Sequence, residues 1–197
     1  MAKRAFDLLV AALALILLSP LLVAVAVWIR LDSPGPALYR QERVGRNGVP
    51  FRIHKFRTMH HGGGGPLLTA AADARITRAG AFLRRTRIDE LPQFIDVLQG
   101  SMSLVGPRPE VPRYVAKYPP ALRERVLAVR PGITDPASLA FIDEASLLQR
   151  AADPENEYVE RILPRKLQVA ADYADRASLR TDVAVLWRTV GVLLRGG

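Results

Sequence analysis

Leu8-Leu9-Val10-Ala11-Ala12-Leu13-Ala14-Leu15-Ile16-Leu17-Leu18-Ser19-Pro20-Leu21-Leu22-Val23-Ala24-Val25-Ala26-Val27-Trp28-Ile29 carries no charged side chain. At 1.5 Å per residue a helix over this run reaches about 33 Å, one hydrocarbon core, so the segment belongs in a bilayer. A cleaved secretory signal would share the basic start at Lys3 and Arg4, but the run is long and lacks a small-residue cleavage site before Arg30. Ser19-Pro20 falls near its middle, and proline removes an amide donor and clashes one turn back, so a kink or break is expected there. Basic residues lie on both flanks: Lys3 and Arg4 before, then Arg30, Arg40, Arg43 and Arg46 after. If positive flanks stay cytoplasmic, both ends want the same side. A strong apolar run tolerates a proline kink and overrides a few charges, so these residues leave a kinked span and a re-entrant hairpin both open.

With 197 residues, 49% of them hydrophobic, the chain can build one catalytic module with a real core, not two large domains around a cleft. The formal charge of +9 favours partners such as nucleic acid, anionic lipid or a phosphorylated substrate. The absence of cysteine excludes disulfides and thiolate chemistry, leaving oxygen or nitrogen as any nucleophile.

Asp32-Ser33-Pro34-Gly35-Pro36 reads as a turn-rich exit from the membrane element. Ala37 to Met59 predicts two short strands around Arg46-Asn47-Gly48, since Asn-Gly is a strong hairpin signal. The stretch from His60 to about Ala72, with glycines from Gly62 to Gly65, reads as a mobile loop, either a lid or an insertion. Helical patterns follow at about Ala74 to Arg85 and Asp89 to Leu98, in short pieces after Glu110, then at about Glu155 to Arg176 and Leu179 to Leu194. The fold class is therefore α+β and mainly helical, with a short β-hairpin and amphipathic helices. The last helix carries Leu179, Val183, Leu186, Trp187, Val190 and Leu194 at helical spacing, which suits either a core-packed helix or a membrane-surface one.

The sharpest candidate for chemistry is Arg84-Arg85-Thr86-Arg87-Ile88-Asp89-Glu90-Leu91-Pro92. Asp89 at a helix cap would accept amide hydrogen bonds and stay ionised, and a fixed carboxylate can act as a nucleophile toward phosphorus. Glu90 offers hard oxygens to Mg²⁺, which typically takes one or two carboxylates together with substrate phosphates. Alone, a capping aspartate and a solvated glutamate would explain the pair. In Pro107-Arg108-Pro109-Glu110 two prolines present one guanidinium, suited to phosphate or nucleotide, or else to a local pair with Glu110. In Lys55-Phe56-Arg57 a strand would put Lys55 and Arg57 on one face, where both can meet a diphosphate or solvent. His54, His60 and His61 receive no catalytic role.

These pieces in this order resemble the bacterial sugar transferase family, the monotopic phosphoglycosyl transferases that begin assembly of exopolysaccharides, O-antigens and glycoprotein glycans. The resemblance covers Lys3-Arg4 with Phe6-Asp7, Ser19-Pro20, Ser33-Pro34-Gly35-Pro36 and Tyr39-Arg40-Gln41-Glu42-Arg43-Val44-Gly45. It continues through Lys55 to Met59, Asp89-Glu90-Leu91-Pro92-Gln93, Met102 to Pro109, and Arg130-Pro131-Gly132-Ile133-Thr134. What it implies is a re-entrant membrane helix over residues 1–31 with a break at Ser19-Pro20, and a cytoplasmic, membrane-associated catalytic domain over 32–197, at the bacterial inner membrane. It implies that Asp89 attacks the β-phosphate of a UDP-sugar and releases UMP, that Glu90, with Asp89, holds Mg²⁺, and that undecaprenyl phosphate then takes the phosphosugar. Lys55, Arg57, Arg84, Arg87 and Arg108 would lie near phosphates or nucleotide, with Pro107 and Pro109 shaping the loop. The implied partners are the UDP-sugar donor, the polyprenyl phosphate acceptor and membrane lipid, with a homodimer and downstream glycosyltransferases as candidate protein partners and no nucleic acid. Without further membrane helices or an N-terminal domain, the chain looks like the minimal catalytic form.

The pattern departs in the C-terminal third. Many members follow Pro-Gly-Ile-Thr with glycine, an aromatic residue and Asn-Gly-Arg, where this chain has Asp135-Pro136-Ala137-Ser138-Leu139-Ala140-Phe141. Members also carry an acid on the last long helix, to which Asp172 is near in sequence. A basic membrane-anchored binding module is the competing reading, but the aromatic stacking platform of a single-strand binder is not evident. A scaffold without chemistry is the other, opposed by Asp89, Glu90, Lys55 and Arg108 standing together.

Overall fold

The computed structural model describes residues 2–62, 64, 65, 68, 73–141 and 144–194. Most of the loop read between His60 and Ala72, and Arg195 beyond the last helix, lie outside the described residues. Helix α1 spans Ala2–Asp32, and short strands β1 (Leu38–Tyr39), β2 (Glu42–Val44), β3 (Pro50–Arg52) and β4 (Lys55–Phe56) follow. Next come α2 (Arg78–Thr86), a 3₁₀ turn Ile88–Glu90, α3 (Gln93–Gln99), β5 (Ser103–Val105), α4 (Pro112–Val115), α5 (Pro120–Leu127) and β6 (Gly132–Thr134). The C-terminal third is helical: α6 (Pro136–Ala140), α7 (Glu144–Arg150), α8 (Pro154–Glu157), a π turn Tyr158–Ile162, α9 (Leu163–Asp175) and α10 (Leu179–Leu194). The mainly helical α+β reading holds.

The expected break at Ser19-Pro20 needs correction: α1 is one helix with Pro20 inside it. Pro20 cannot donate to the Ile16 carbonyl four residues back. The Ser19 hydroxyl donates to that carbonyl instead, at 2.8 Å, so the orphaned acceptor is satisfied and the helix continues. α1 is long and apolar enough to cross a membrane by length and composition, and only 11% of its most apolar window is buried.

Both ends of α1 are nevertheless tied to the same body. Near its start, Asp7 Oδ2 accepts from Ser103 Oγ (2.8 Å), Asp7 Oδ1 from the Leu104 amide (3.3 Å), and Arg4 donates to the Val97 carbonyl (2.8 Å). Lys3 donates to Ser103 Oγ at 2.7 Å and also pairs with Asp182. Ala11 is buried there with Val97, Met102, Leu104, Tyr173 and Val185. At the other end Val25 and Ile29 pack on Phe56 and Leu83. Arg57 locks this end, donating to Ser33 Oγ (2.6 Å), the Ser33 carbonyl (2.9 Å) and the Pro36 carbonyl (2.7 Å). Between the two anchors Leu13, Ile16, Leu17, Leu21 and Val23 are exposed.

The predicted hairpin is present: β2 and β3 pair antiparallel, Val44 opposite Pro50, around a turn in which Asn47 takes the left-handed conformation (φ 57°). A second antiparallel ladder joins β1 to β4 with Tyr39 opposite Lys55. β5 and β6 are parallel, Ser103 opposite Gly132, and so close that a Cβ on Gly132 would lie 2.0 Å from the Gly106 amide nitrogen. That glycine contact presses the Pro107-Arg108-Pro109 loop onto Arg130–Gly132. α4, α5 and α9 enclose the remaining core of Tyr114, Tyr118, Val126, Tyr158, Ile162 and Leu167.

Candidate active site

α2 ends where Arg87 adopts the left-handed conformation (φ 59°), its amide bonding back to the Arg84 carbonyl. A non-glycine residue there costs about 1 kcal/mol, and the reversal turns the following residues inward. Asp89 and Glu90 are both buried, 2% and 8% exposed. This corrects the capping expectation: the residue capping α3 is Pro92, with no side-chain bond, and Asp89 caps nothing. The solvated-glutamate alternative falls with it.

Strand alternation in β4 sends Phe56 into the core and Lys55 to the other side, where β4 packs on the Ile88–Glu90 turn. Lys55 Nζ lies 2.9 Å from Asp89 Oδ2 and 3.2 Å from Glu90 Oε1. Arg108 reaches the same glutamate from the loop after β5, Nη2 to Oε1 at 2.6 Å and Nη1 to Oε2 at 3.4 Å. So Arg108 pairs with Glu90 and not with its sequence neighbour Glu110, which accepts from Tyr158 Oη at 2.7 Å. Burial pushes the Glu90 carboxyl upward, but Arg108 and Lys55 outweigh it and hold its pKa well below the usual carboxylate range. Glu90 in turn raises Arg108 against the opposing effect of burial. Asp89 Oδ1 is buried with no hydrogen-bond partner among the described residues. A buried carboxylate oxygen without a donor is rare, and the other oxygen of this carboxylate, Oδ2, is the one held by Lys55.

Of the other residues expected here, Arg84 is half-buried and senses the charge of Asp89, while burial lowers its pKa. Arg87 is exposed, and its charge helps depress Glu90. Pro107 and Pro109 shape the Arg108 loop through their carbonyls, which accept from the Gly132 amide (3.0 Å) and Arg43 Nη1 (2.9 Å). Arg57 is not in the site: its guanidinium is buried at the end of α1, because the chain leaves β4 after Phe56 and the strand periodicity ends there. Lys3, Arg4 and Asp7 are anchors of α1, whereas Ser19 and Pro20 are exposed. Asp172 is half exposed and pairs with Arg125.

Residues 1–196 match the family described as bacterial sugar transferase. The chain belongs to that family. The sugar transferase is 40% identical over 205 residues to the UDP-glucose:undecaprenyl-phosphate glucose-1-phosphate transferase of Caulobacter vibrioides, covering 98% of this chain and 69% of the relative. It is 39% identical to the UDP-N-acetylgalactosamine-undecaprenyl-phosphate N-acetylgalactosaminephosphotransferase of Aeromonas hydrophila (98% and 44% covered). A third relative, the UDP-glucose:undecaprenyl-phosphate glucose-1-phosphate transferase of Escherichia coli, is 36% identical (95% and 39% covered). The chain thus spans less than half the length of the latter two. The resemblance to phosphoglycosyl transferases read from the motifs is met.

The sugar transferase also contains supports that no motif announced. Asp182 on α10 accepts from Tyr173 Oη at 2.5 Å and pairs with Lys3, a buried acid beneath the start of α1. An acid on the same helical face as Val185 was the available signal. His54 gives both its amide (2.8 Å) and Nδ1 (2.7 Å) to fully buried Asp96, while Arg40 donates to Nε2 at 2.6 Å. The Arg40 bond fixes the tautomer with the proton on Nδ1. This clamp joins the residue before Lys55 to the helix that follows Glu90. Asp96→Ala leaves two buried donors unpaired and is expected to cost about 3 kcal/mol, read as a lowered melting temperature in detergent. A change under about 0.5 kcal/mol would show that the clamp holds nothing.

Proposed function

We propose that this sugar transferase moves a phosphosugar from a UDP-sugar to undecaprenyl phosphate, the first membrane step in assembling a bacterial polysaccharide or glycoconjugate, by way of a covalent Asp89 intermediate. The observation that carries the reading is a buried carboxylate pair gripped by Lys55 and Arg108, with one Asp89 oxygen unpartnered. In the first half-reaction an Asp89 oxygen attacks the β-phosphorus, the bond from that phosphorus to the bridging oxygen breaks, and UMP leaves with the electron pair. In the second, an oxygen of the polyprenyl phosphate attacks the same phosphorus, the bond to Asp89 breaks, and the carboxylate is restored. Lys55 and Arg108 are placed to bind the diphosphate and stabilise charge developing on it. Arg84 and Arg87 add positive charge at the rim.

Mg²⁺ suits this donor set. Asp89 Oδ1 is free, Glu90 Oε2 makes only a 3.4 Å bond, and no cluster of three or more metal-binding side chains exists among the described residues. Two carboxylates completed by substrate phosphates and water is the ordinary Mg²⁺ arrangement, so Asp89 and Glu90 would hold the ion. When bound, it would neutralise diphosphate charge as the bond breaks.

The anchoring of both α1 ends on one body supports a bent helix that enters and leaves by the same membrane face. Basic residues at both ends support the cytoplasmic face of the inner membrane. UMP release from a panel including UDP-glucose and UDP-N-acetylgalactosamine, with Mg²⁺ and undecaprenyl phosphate, tests the reading. Turnover of one donor with transfer to the lipid is expected. A panel that yields no UMP beside an active relative overturns it in favour of the binding or scaffold reading.

A further inference from the structure

We propose that Arg4 and Arg130 form a lipid site separate from the reacting pair, one that holds the phosphate of an anionic phospholipid headgroup. Both guanidiniums are docked at the end of α3. Arg4 Nη2 donates to the Val97 carbonyl (2.8 Å) and Nη1 to the Met102 carbonyl (3.4 Å), while Arg130 Nε donates to the Gly100 carbonyl (2.9 Å). They bracket Gly100, where an added Cβ would lie 3.5 Å from Arg4 Nη2. They are close enough to repel each other.

No carboxylate bridges them among the described residues. Asp7 attracts Arg4 from one turn away, but its oxygens are committed to Ser103 and the Leu104 amide. Main-chain carbonyls fix the orientation of the two side chains without cancelling their charge, and both terminal nitrogens of Arg130 make no bond to the described residues. Two partly buried, oriented guanidiniums with unused donors match the oxygens of a phosphate.

Position identifies the phosphate as a lipid's. Arg4 lies one turn before the apolar run, at headgroup depth whether α1 spans or re-enters. Leu9 on α1 and Leu98 on α3 are exposed on the same two helices and offer acyl chains an apolar surface. Ten residues of mostly helical chain separate Glu90 from Gly100, about 15 Å at 1.5 Å per residue, so a phosphate held here is not the one Asp89 attacks.

Native mass spectrometry of the purified enzyme in detergent, with phosphatidylglycerol or phosphatidylcholine added, tests the site. The parent should retain one phosphatidylglycerol per chain in preference to phosphatidylcholine. Arg130→Gln and Arg4→Gln should each lower that occupancy at least about fivefold, and the double variant should be no worse than either, because one phosphate needs both arginines. Arg123→Gln, at an exposed arginine without a side-chain partner among the described residues, should match the parent. Should Arg4→Gln fail to fold, Arg130→Gln carries the test alone. Unchanged retention in Arg130→Gln, additive losses shared by Arg123→Gln, or displacement by inorganic phosphate would each overturn the proposal. UMP release plays no part in this readout, so the result stands whatever the enzyme's donor.

Discussion

Asp89→Asn is expected to release no UMP from any UDP-sugar that the parent uses, a loss of at least about 10³-fold in kcat. The substitution keeps shape and volume, but a neutral amide cannot form the phosphosugar ester. Folding should survive, since Asp89 Oδ1 has no partner and Lys55 keeps its bond to Glu90. The variant should therefore melt close to the parent. The parent incubated with donor alone should carry one phosphosugar on Asp89, visible as a mass increase, and the variant should carry none. Activity within tenfold of the parent in Asp89→Asn would remove the nucleophile role. Turnover by the parent without an adduct would point instead to Asp89 acting as a base in direct transfer.

Glu90→Gln should lower both activity and stability. The glutamate is the common partner of Lys55 and Arg108, and a neutral amide leaves two cations facing each other in a buried site. Breaking such a pair from one side costs about 3 kcal/mol, and misplacing both phosphate-binding groups should cost about 10²-fold or more in kcat/KM. pH gives an independent reading. Because the Glu90 pKa in the folded chain lies below the ordinary glutamate value of about 4.3, the unfolded chain binds more protons as the solution is acidified. The stability that Glu90 contributes is complete above about pH 4.3 and is lost as pH falls toward the folded value. Parent and variant melting temperatures should therefore converge in acid. A gap that stays constant as the solution is acidified from about pH 5 to about pH 2 would show that the charge of Glu90 is not what the site uses.

How much of this was legible in sequence differs by residue. The hairpin at Asn47-Gly48 and α10 follow from local signals, a turn dipeptide and a helical stripe, whereas the gathering of Asp89, Glu90, Lys55 and Arg108 was implied by the family resemblance and not by any local pattern. Arg57 was misplaced because strand periodicity was carried one residue past the end of β4. The break at Ser19-Pro20 was misjudged because proline's lost bond was counted and the serine hydroxyl that replaces it was not. His54–Asp96 and Lys3–Asp182 were illegible for a different reason. Their partners lie 42 and 179 positions apart, and no local pattern encodes such pairings.

The same separations set an order of events during synthesis. The end of α1 near Ile29 can be fastened by Arg57 only 28 residues later. Its beginning must wait for Ser103 and finally for Asp182. At roughly 5–20 residues per second, about 10 to 35 s pass between the making of Lys3 and of its last partner. Until then the first turn of the helix has its contacts to Val97, Ser103 and Leu104 without the Asp182 pair, and the loop after β5 folds against a neighbour not yet fully locked in place. The two ends of α1 are therefore fastened at different times, the Ile29 end first and the Lys3 end last.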